Sequence, residues 1–488
     1  MPEPNRPSRD WRRPTVDALT AEPLDVFVVG GGIVGAGIAR DAAMRGLRVG
    51  LIEQYDFAWG TSSRSSRLLH GGMRYLAQGR LGLVRQASLE KAVIGRIAPH
   101  LAAPLPFIFP TYGGTPWPLW KLRIGVRLYD LLCSGQNFGT SSTLSQEQLR
   151  QRMPGLCREG ITGAVRYFDG ATNDARLVID TLRSAARHGA VVCNYMKLVE
   201  AVRHGSRWRC RLRDESNNEQ RDVETRCVIN ATGPWGGQFA QSRIHIRGSK
   251  GIHIVLDQDR LPIDEAVMMT EGPRVAYAIP WGERTYMGTT DTDYEGAPEQ
   301  VGSDAQDVEY LLMILNRYFP DAALVEGDVL RTWAGVRPLI ADPRGTPSDV
   351  SRHHEILFAE EGWIDVGGGK LTTYRLIARQ VLDRLLKHWR IGDRACRTAH
   401  EPLLEEGETK GVSGIVPPPV SEHVVEHACA DEWARHLDDV MVRRTRWHLY
   451  HGDTQAVARN VAGWMARCLG WTNERRDEEI RRYERVLD

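Results

Sequence analysis

The stretch DVFVVGGGIVGAGIARDAAMRGLRVGLIE, residues 25–53, opens with an apolar run from Asp25 to Val29 and turns through glycines. A helical pattern then runs to Arg45, and a second apolar run is closed by Glu53. That order is a strand, helix, strand unit with parallel strands. Gly30, Gly32 and Gly35 occupy GxGxxG positions, which permit a tight turn, close approach of the backbone to a pyrophosphate, and close packing of helix on strand. The helix N-terminus then faces the phosphates. Glu53 falls at the roughly 20-residue spacing where a carboxylate meets the adenosine ribose, and its charge repels a 2′-phosphate. The motif predicts a dinucleotide site, disfavours NADP, and leaves NAD and FAD both open.

Working outward, two further stretches read as strands running into glycine turns before helices: RCVINATGPW (226–235) and WIDVGGGKLTTYR (363–375). Their separation predicts a discontinuous nucleotide domain assembled from 25–100, 165–240 and 335–394. Between them, HIVLDQDRLPI (253–263) and RVAYAIPWGERTYMGTTDTDY (274–294) have the short alternating and aromatic texture of an antiparallel sheet. This assigns 101–164 and 241–334 to a substrate domain in an α/β architecture. GETKGVSGIVPPPVSE (407–422) marks a linker over 395–422, ahead of helical patterns over 423–488. Residues 1–24, rich in Pro, Arg and acidic side chains without the apolar core of a signal peptide, read as a flexible tail.

Composition narrows the function classes. Of 488 residues, 42% are hydrophobic and 26% charged, the mix of a globular protein long enough for more than one domain. Lys plus Arg (63) nearly balance Asp plus Glu (62), so the net charge of +1 offers no global attraction for nucleic acid. The eight cysteines are scattered, with no CxxC pair and no Cys/His cluster, which predicts neither a metal centre nor a disulfide framework. A cytoplasmic location fits this cysteine usage. No run reaches the ~18 consecutive apolar residues of a spanning helix.

After the fingerprint comes TSSRSSRLLHGGMRYL, residues 61–76, dense in small hydroxyl side chains and glycine. A nicotinamide cofactor has to leave, whereas a resident flavin can be enclosed by such a segment. Thr61, Ser62, Ser63, His70 and Gly71 are accordingly expected along the cofactor.

Taken in order, these motifs are followed by DGATNDARL (169–177), NATGPW (230–235), KGIHIV (250–255), AIPWGERTYMGTTDTDY (278–294), AGVRPL (334–339) and GGKLTTYR (368–375). In that order the chain resembles FAD-dependent glycerol-3-phosphate dehydrogenases from about residue 24 to 390. EWARHLDDVMVRRT (432–445) extends the likeness toward the C-terminus. The resemblance implies a discontinuous Rossmann-like FAD domain with an antiparallel-sheet substrate domain of the D-amino-acid-oxidase type, and a small C-terminal helical domain. It implies oxidation of sn-glycerol 3-phosphate to dihydroxyacetone phosphate, electron delivery to quinone, a homodimer, and peripheral contact with the cytoplasmic membrane face. Ile252 stands where the family usually has Ser, and the C-terminal region is shorter than usual.

Several site residues follow from the resemblance. Gly233, Gly369, Lys370, Leu371 and Thr372 join the cofactor set. Arg74, Arg274, Arg337 and Arg352, with Lys370, are the cations expected to meet the substrate phosphate; a planar guanidinium binds phosphate oxygens bidentately. Alcohol oxidation also needs a proton acceptor, and arginine is too basic for that. His253 is the favoured base, with His70 the other histidine in a shared motif; Arg337 and Lys370 complete the expected catalytic set. PWPLWKLRIGVRLYDLLCSG (116–135) fits either an interfacial amphipathic helix or a core helix with a basic outer face. The alternative chemistries are a glycerol-3-phosphate oxidase using oxygen, another flavin-dependent alcohol or amine oxidase of this fold, and a non-catalytic flavin-binding scaffold.

Overall fold

The computed structural model describes residues 11–76, 79–272, 274–341, 354–392 and 394–487, the side chains of Arg74 and Leu487 excepted. The quoted βαβ unit is present as strand Leu24–Val29, helix Ile33–Met44 and strand Val49–Ile52. The two strands pair in parallel, Val26 opposite Val49 and Val29 opposite Ile52. Both are buried along nearly their whole length, as strands covered on two faces must be.

Around this unit the first sheet runs in the order His354–Glu360, Trp363–Gly368, Gln220–Asn230, Leu24–Val29, Val49–Ile52, Val191–Cys193. Along this order four pairings are parallel and the outer pair, His354–Glu360 with Trp363–Gly368, is antiparallel. Helices Ile33–Met44, Asp174–Arg187 and Tyr374–His388 cover one face and share an aliphatic core. Strands Met196–His204 and Arg207–Asp214 lead off the other side of Gln220–Asn230.

Among the described residues the second sheet has ten strands and is antiparallel except where Ala266–Glu271 meets Ala103–Tyr112. Its longest pairing joins Ile246–Asp257 to Val329–Ile340, Ser249 facing Arg337, Gly251 facing Gly335 and His253 facing Trp333. Side chains alternate between faces with period two. Ile252, Ile254 and Ala334 therefore enter a separate core beneath helix Ala305–Tyr318, while His253 projects the other way. Ile252, the departure noted above, is a core residue that points away from His253.

Four segments differ from the sequence expectation. The flexible tail holds a helix, Arg12–Thr20, whose Val16 and Leu19 are buried against the first sheet and whose Arg12 pairs with Asp214 at 2.7 Å. An amphipathic face of two apolar residues and one arginine is too sparse to stand out in a polar stretch. The expected linker 395–422 is packed rather than free: Leu403 and Leu404 are buried, and the Leu403 N–H donates to Ile97 at 2.8 Å. Strands Ile161–Ala171 and Val329–Ile340 each run unbroken through boundaries drawn at 164/165 and 334/335, because sheet pairing continues through Gly163 and Gly335. Beyond residue 421, helices Glu422–Asp431, Thr454–Leu469 and Asn473–Leu487 gather around a core of their own.

Candidate active site

A cleft of about 1300 Å³, open to solvent, lies where the parallel strands end. Gly30, Gly32, Glu53, Ala231, Gly233 and Val366 line it from the first sheet, and Pro338 from the second. Gly30 has φ +111, and a Cβ there would come within 2.6 Å of the Ala231 carbonyl oxygen. Gly35 lies beneath the turn, where a Cβ would come within 1.9 Å of the Gly30 oxygen. Helix and strand thus pack at backbone contact, and the helix N-terminus is left facing the cleft.

Glu53 holds this turn in place. Its carboxylate accepts from the Gly31 N–H at 2.8 Å and the Tyr55 N–H at 3.0 Å. Burial pushes its acidity weaker than usual, although those two N–H groups oppose the shift. Ser62 Oγ accepts from the Ile33 N–H at 3.0 Å, and Thr61 Oγ donates to the Val336 carbonyl at 2.6 Å, tying the serine-rich segment to the first helix turn after the glycines and to the second sheet. The chemistry fits FAD: a glycine turn at a helix N-terminus for a pyrophosphate, a carboxylate at the ribose position, and a long cleft continuing to Gly368, Gly369, Lys370 and Leu371. Of the other expected cofactor residues, Ser63, His70, Gly71 and Thr372 stand behind the lining. The His70 N–H donates to Thr372 Oγ at 3.1 Å, and the Gly71 N–H to Tyr129 Oη at 2.9 Å.

A second group of side chains gathers on the sheet face that carries His253. Arg337 donates to Thr289 Oγ at 2.9 Å and pairs with Asp291 at 3.2 Å. Its guanidinium folds across Gly251, where a Cβ would come within 2.5 Å of Nη2. His253, two residues on, is buried; its Nε2 lies 2.8 Å from Ser66 Oγ, and its ring stacks on Trp333 at 4.4 Å. Among the described residues Nδ1 has no hydrogen-bond partner. Burial, with the charges of Arg337 and Arg67, holds this imidazole well below the ordinary histidine range, so it is neutral at pH 7.

Lys370 stands at the edge of the cleft with Nζ 3.9 Å from the centre of the Tyr75 ring. This brings GGKLTTYR against GGMRYL. The segment 61–76 therefore touches the cleft through Thr61, Ser62 and Ser65, His253 through Ser66, and Lys370 through Tyr75. Arg74 shares the short turn Met73–Tyr75, but its side chain lies outside the described residues, as does the whole of Arg352. Arg274 stands exposed at the end of strand Arg274–Trp281, its guanidinium 5.6 Å from the Tyr310 ring rather than among the groups around Arg337.

Sequence reasoning passed over Arg67. Its guanidinium is buried between the rings of Trp281 and Trp333, at 4.3 and 4.6 Å, and among the described residues its three nitrogens have no hydrogen-bond partner. Burial lowers its pKa to about 10, which still leaves it charged at neutral pH. The cleft residues Trp59, Met196, Lys197 and Leu198 were also missed, since no motif marks them.

A dinucleotide-type cleft set between a parallel and an antiparallel sheet defines the class, that of the FAD-dependent oxidoreductases with the D-amino-acid-oxidase type of fold. Residues 25–384 match the family model described as FAD dependent oxidoreductase, and residues 370–476 that of the C-terminal domain of alpha-glycerophosphate oxidase. The chain is 36% identical to the aerobic glycerol-3-phosphate dehydrogenase of Bacillus subtilis over 79% of its own length and 71% of the relative's. It is 33% identical to glycerol-3-phosphate dehydrogenase 2 of Mycobacterium tuberculosis over 97% and 88%. Its fold matches the crystal structure of the glycerol-3-phosphate dehydrogenase from Bacillus halodurans complexed with FAD, with a TM-score of 0.80, 27% identity, and coverage of 98% and 97%. The chain belongs to the FAD-dependent glycerol-3-phosphate dehydrogenase family, and its cofactor is FAD.

Proposed function

We propose that the protein oxidises sn-glycerol 3-phosphate to dihydroxyacetone phosphate and passes the electrons to quinone. The observation that carries this reading is the pairing of a neutral, buried His253 with Arg337 across Gly251 on one face of the second sheet. The names of the relatives supply the substrate class. Bound FAD supplies the hydride acceptor. Arg337, with Arg74, Lys370 and Arg352 as further cations, binds the phosphate, each charge-assisted bond contributing roughly 1.5–3 kcal/mol; Arg274, exposed and set against Tyr310, is left out of this set. His253 takes the hydroxyl proton through Ser66, whose Oγ lies 2.8 Å from Nε2: Ser66 passes its own proton to Nε2 and receives the one that leaves the substrate. A neutral imidazole is the form that accepts a proton.

Quinone as acceptor places the protein at a membrane. No helix among the described residues is long and apolar enough to cross one. Helix Leu119–Leu132 buries Leu122, Val126 and Tyr129 while Trp120, Ile124 and Leu131 stand 61%, 61% and 74% exposed beside exposed Lys121, Arg123 and Arg127. Apolar side chains outward among cations favour the interfacial reading of this helix over the core one. A second reading, oxygen as acceptor, is favoured by the match to the alpha-glycerophosphate oxidase C-terminal domain.

Anaerobic titration with glycerol 3-phosphate tests the reaction: bleaching of the bound flavin is expected, and glycerol should leave it oxidised. Unchanged absorbance with glycerol 3-phosphate would refute the substrate. Reoxidation by a soluble quinone that outpaces air supports the dehydrogenase; rapid peroxide release in air without quinone supports the oxidase.

A further inference from the structure

Three arginines of the C-terminal region, Arg443, Arg444 and Arg446, are buried, at 3%, 1% and 2% exposure. Each burial costs several kcal/mol unless the charge is paired. They occupy four positions in sequence and would repel one another without carboxylates between them. Two of those carboxylates, Asp56 and Asp174, belong to the cofactor domain. Arg444 grips both oxygens of Asp56, at 2.7 and 2.8 Å, and Arg443 Nε donates to the same carboxylate. Arg446, turned by a φ of +62, donates to Asp174 Oδ1 at 2.6 Å. The other Asp174 oxygen accepts from the Ser65 N–H at 2.9 Å and from Ser65 Oγ at 2.7 Å.

Asp56 and Ser65 are two points on one segment. Residues 53–65 run along one side of the cofactor cleft, to which they contribute Glu53, Trp59, Gly60, Thr61, Ser62 and Ser65. The segment is held at Asp56 directly and at Ser65 through Asp174. Near Asp56 it is also tied to the glycine turn by the Ala58 N–H, which donates to the Gly31 carbonyl at 3.0 Å. The C-terminal anchor is braced in turn: Arg443 donates to Asp438 at 2.6 Å and Asp439 at 2.7 Å, and Tyr195 Oη donates to Asp439 at 2.6 Å.

We infer that the C-terminal helical region is a clamp on the FAD cleft, in which Arg443, Arg444 and Arg446 act as positioning residues that set the 53–65 wall and thereby the affinity for FAD. None of the three lines the cleft. Linkage makes the effect reciprocal: whatever the docked region adds to FAD binding, FAD adds to the docking of that region.

The full-length protein, stripped of flavin and titrated with FAD, tests this. Arg446→Met is expected to weaken FAD binding about tenfold or more, read by flavin fluorescence, and to shrink the rise in melting temperature that FAD produces. An FAD affinity within twofold of the parent, with apo and holo melting lowered equally, would show a purely structural contact and overturn the inference. A second measurement needs no variant: in the unaltered chain, FAD should slow amide exchange across 439–446, which the clamp predicts and a passive C-terminal region does not. Exchange there that is the same with and without FAD would also overturn it.

Discussion

The roles proposed for Arg337 and His253 are separable. Arg337→Ala removes the guanidinium that folds over Gly251 but touches no cleft-lining residue among its hydrogen-bond partners Ser249, Thr289, Thr290 and Asp291. The variant should keep its FAD absorbance and lose glycerol 3-phosphate affinity by roughly 10- to 150-fold, the equivalent of one charge-assisted contact. Rapid-mixing reduction at varied substrate measures this, and a parental affinity would remove Arg337 from the site. His253→Asn should instead lower the maximal reduction rate by about 10²–10⁴ with little change in affinity, as expected for loss of a proton acceptor. The same histidine fixes a pH dependence of stability. It is held neutral in the folded chain but takes up a proton near pH 6.5 when unfolded, so the unfolded state binds more protons below that value. Its contribution to stability is present above pH 6.5 and is lost as pH falls toward its lower folded value. His448, buried beside Arg446 and Arg67, is shifted in the same direction. Melting temperature should decline from pH 7 to 5, and His253→Asn should flatten that decline; equal slopes in the two proteins would refute the assignment. These roles were partly legible. The motif quoted as KGIHIV carried His253, but nothing in the chain announced Arg67, whose indole partners come from distant strands.

At the scale of elements, the fingerprint is where sequence and structure meet most directly. Gly30 and Gly35 are dictated by backbone contacts that any side chain would violate, and these two fix the turn. Gly35→Ala would place a Cβ 1.9 Å from the Gly30 oxygen, forcing helix Ile33–Met44 off its strand. Overpacking of this kind costs about 1–3 kcal/mol, and here it also tilts the helix end that faces the cleft. The variant should melt at lower temperature and purify largely without flavin; full FAD occupancy would contradict the proposed contact. The remainder of the cleft was not readable in this way. Met196, Lys197 and Leu198 line it from the start of an ordinary strand, and Trp59 from a loop, positions defined only once the sheets are assembled. Helix Arg12–Thr20 was hidden for a related reason, since its docking rests on Arg12 reaching Asp214, a partner with no local signature.

Across the whole molecule, charges divide by depth. On the surface, helix Leu119–Leu132 displays Trp120, Ile124 and Leu131 among cations. Replacing these three with Ser should abolish co-sedimentation with anionic lipid vesicles while leaving anaerobic reduction by glycerol 3-phosphate intact; unchanged sedimentation would remove this helix from the membrane reading. Attraction of its cations to lipid should weaken as salt rises, because mobile ions screen exposed charge over about 8–10 Å. The cage around Arg67 behaves otherwise. Mobile ions do not enter a slot between two indoles, so the cation there acts on the stacked imidazole as a fixed internal field, set by carbon and nitrogen positions instead of by the buffer. From millimolar to molar salt the acid limb of catalysis should therefore move only by the share that Arg337, partly exposed, contributes to the field on His253.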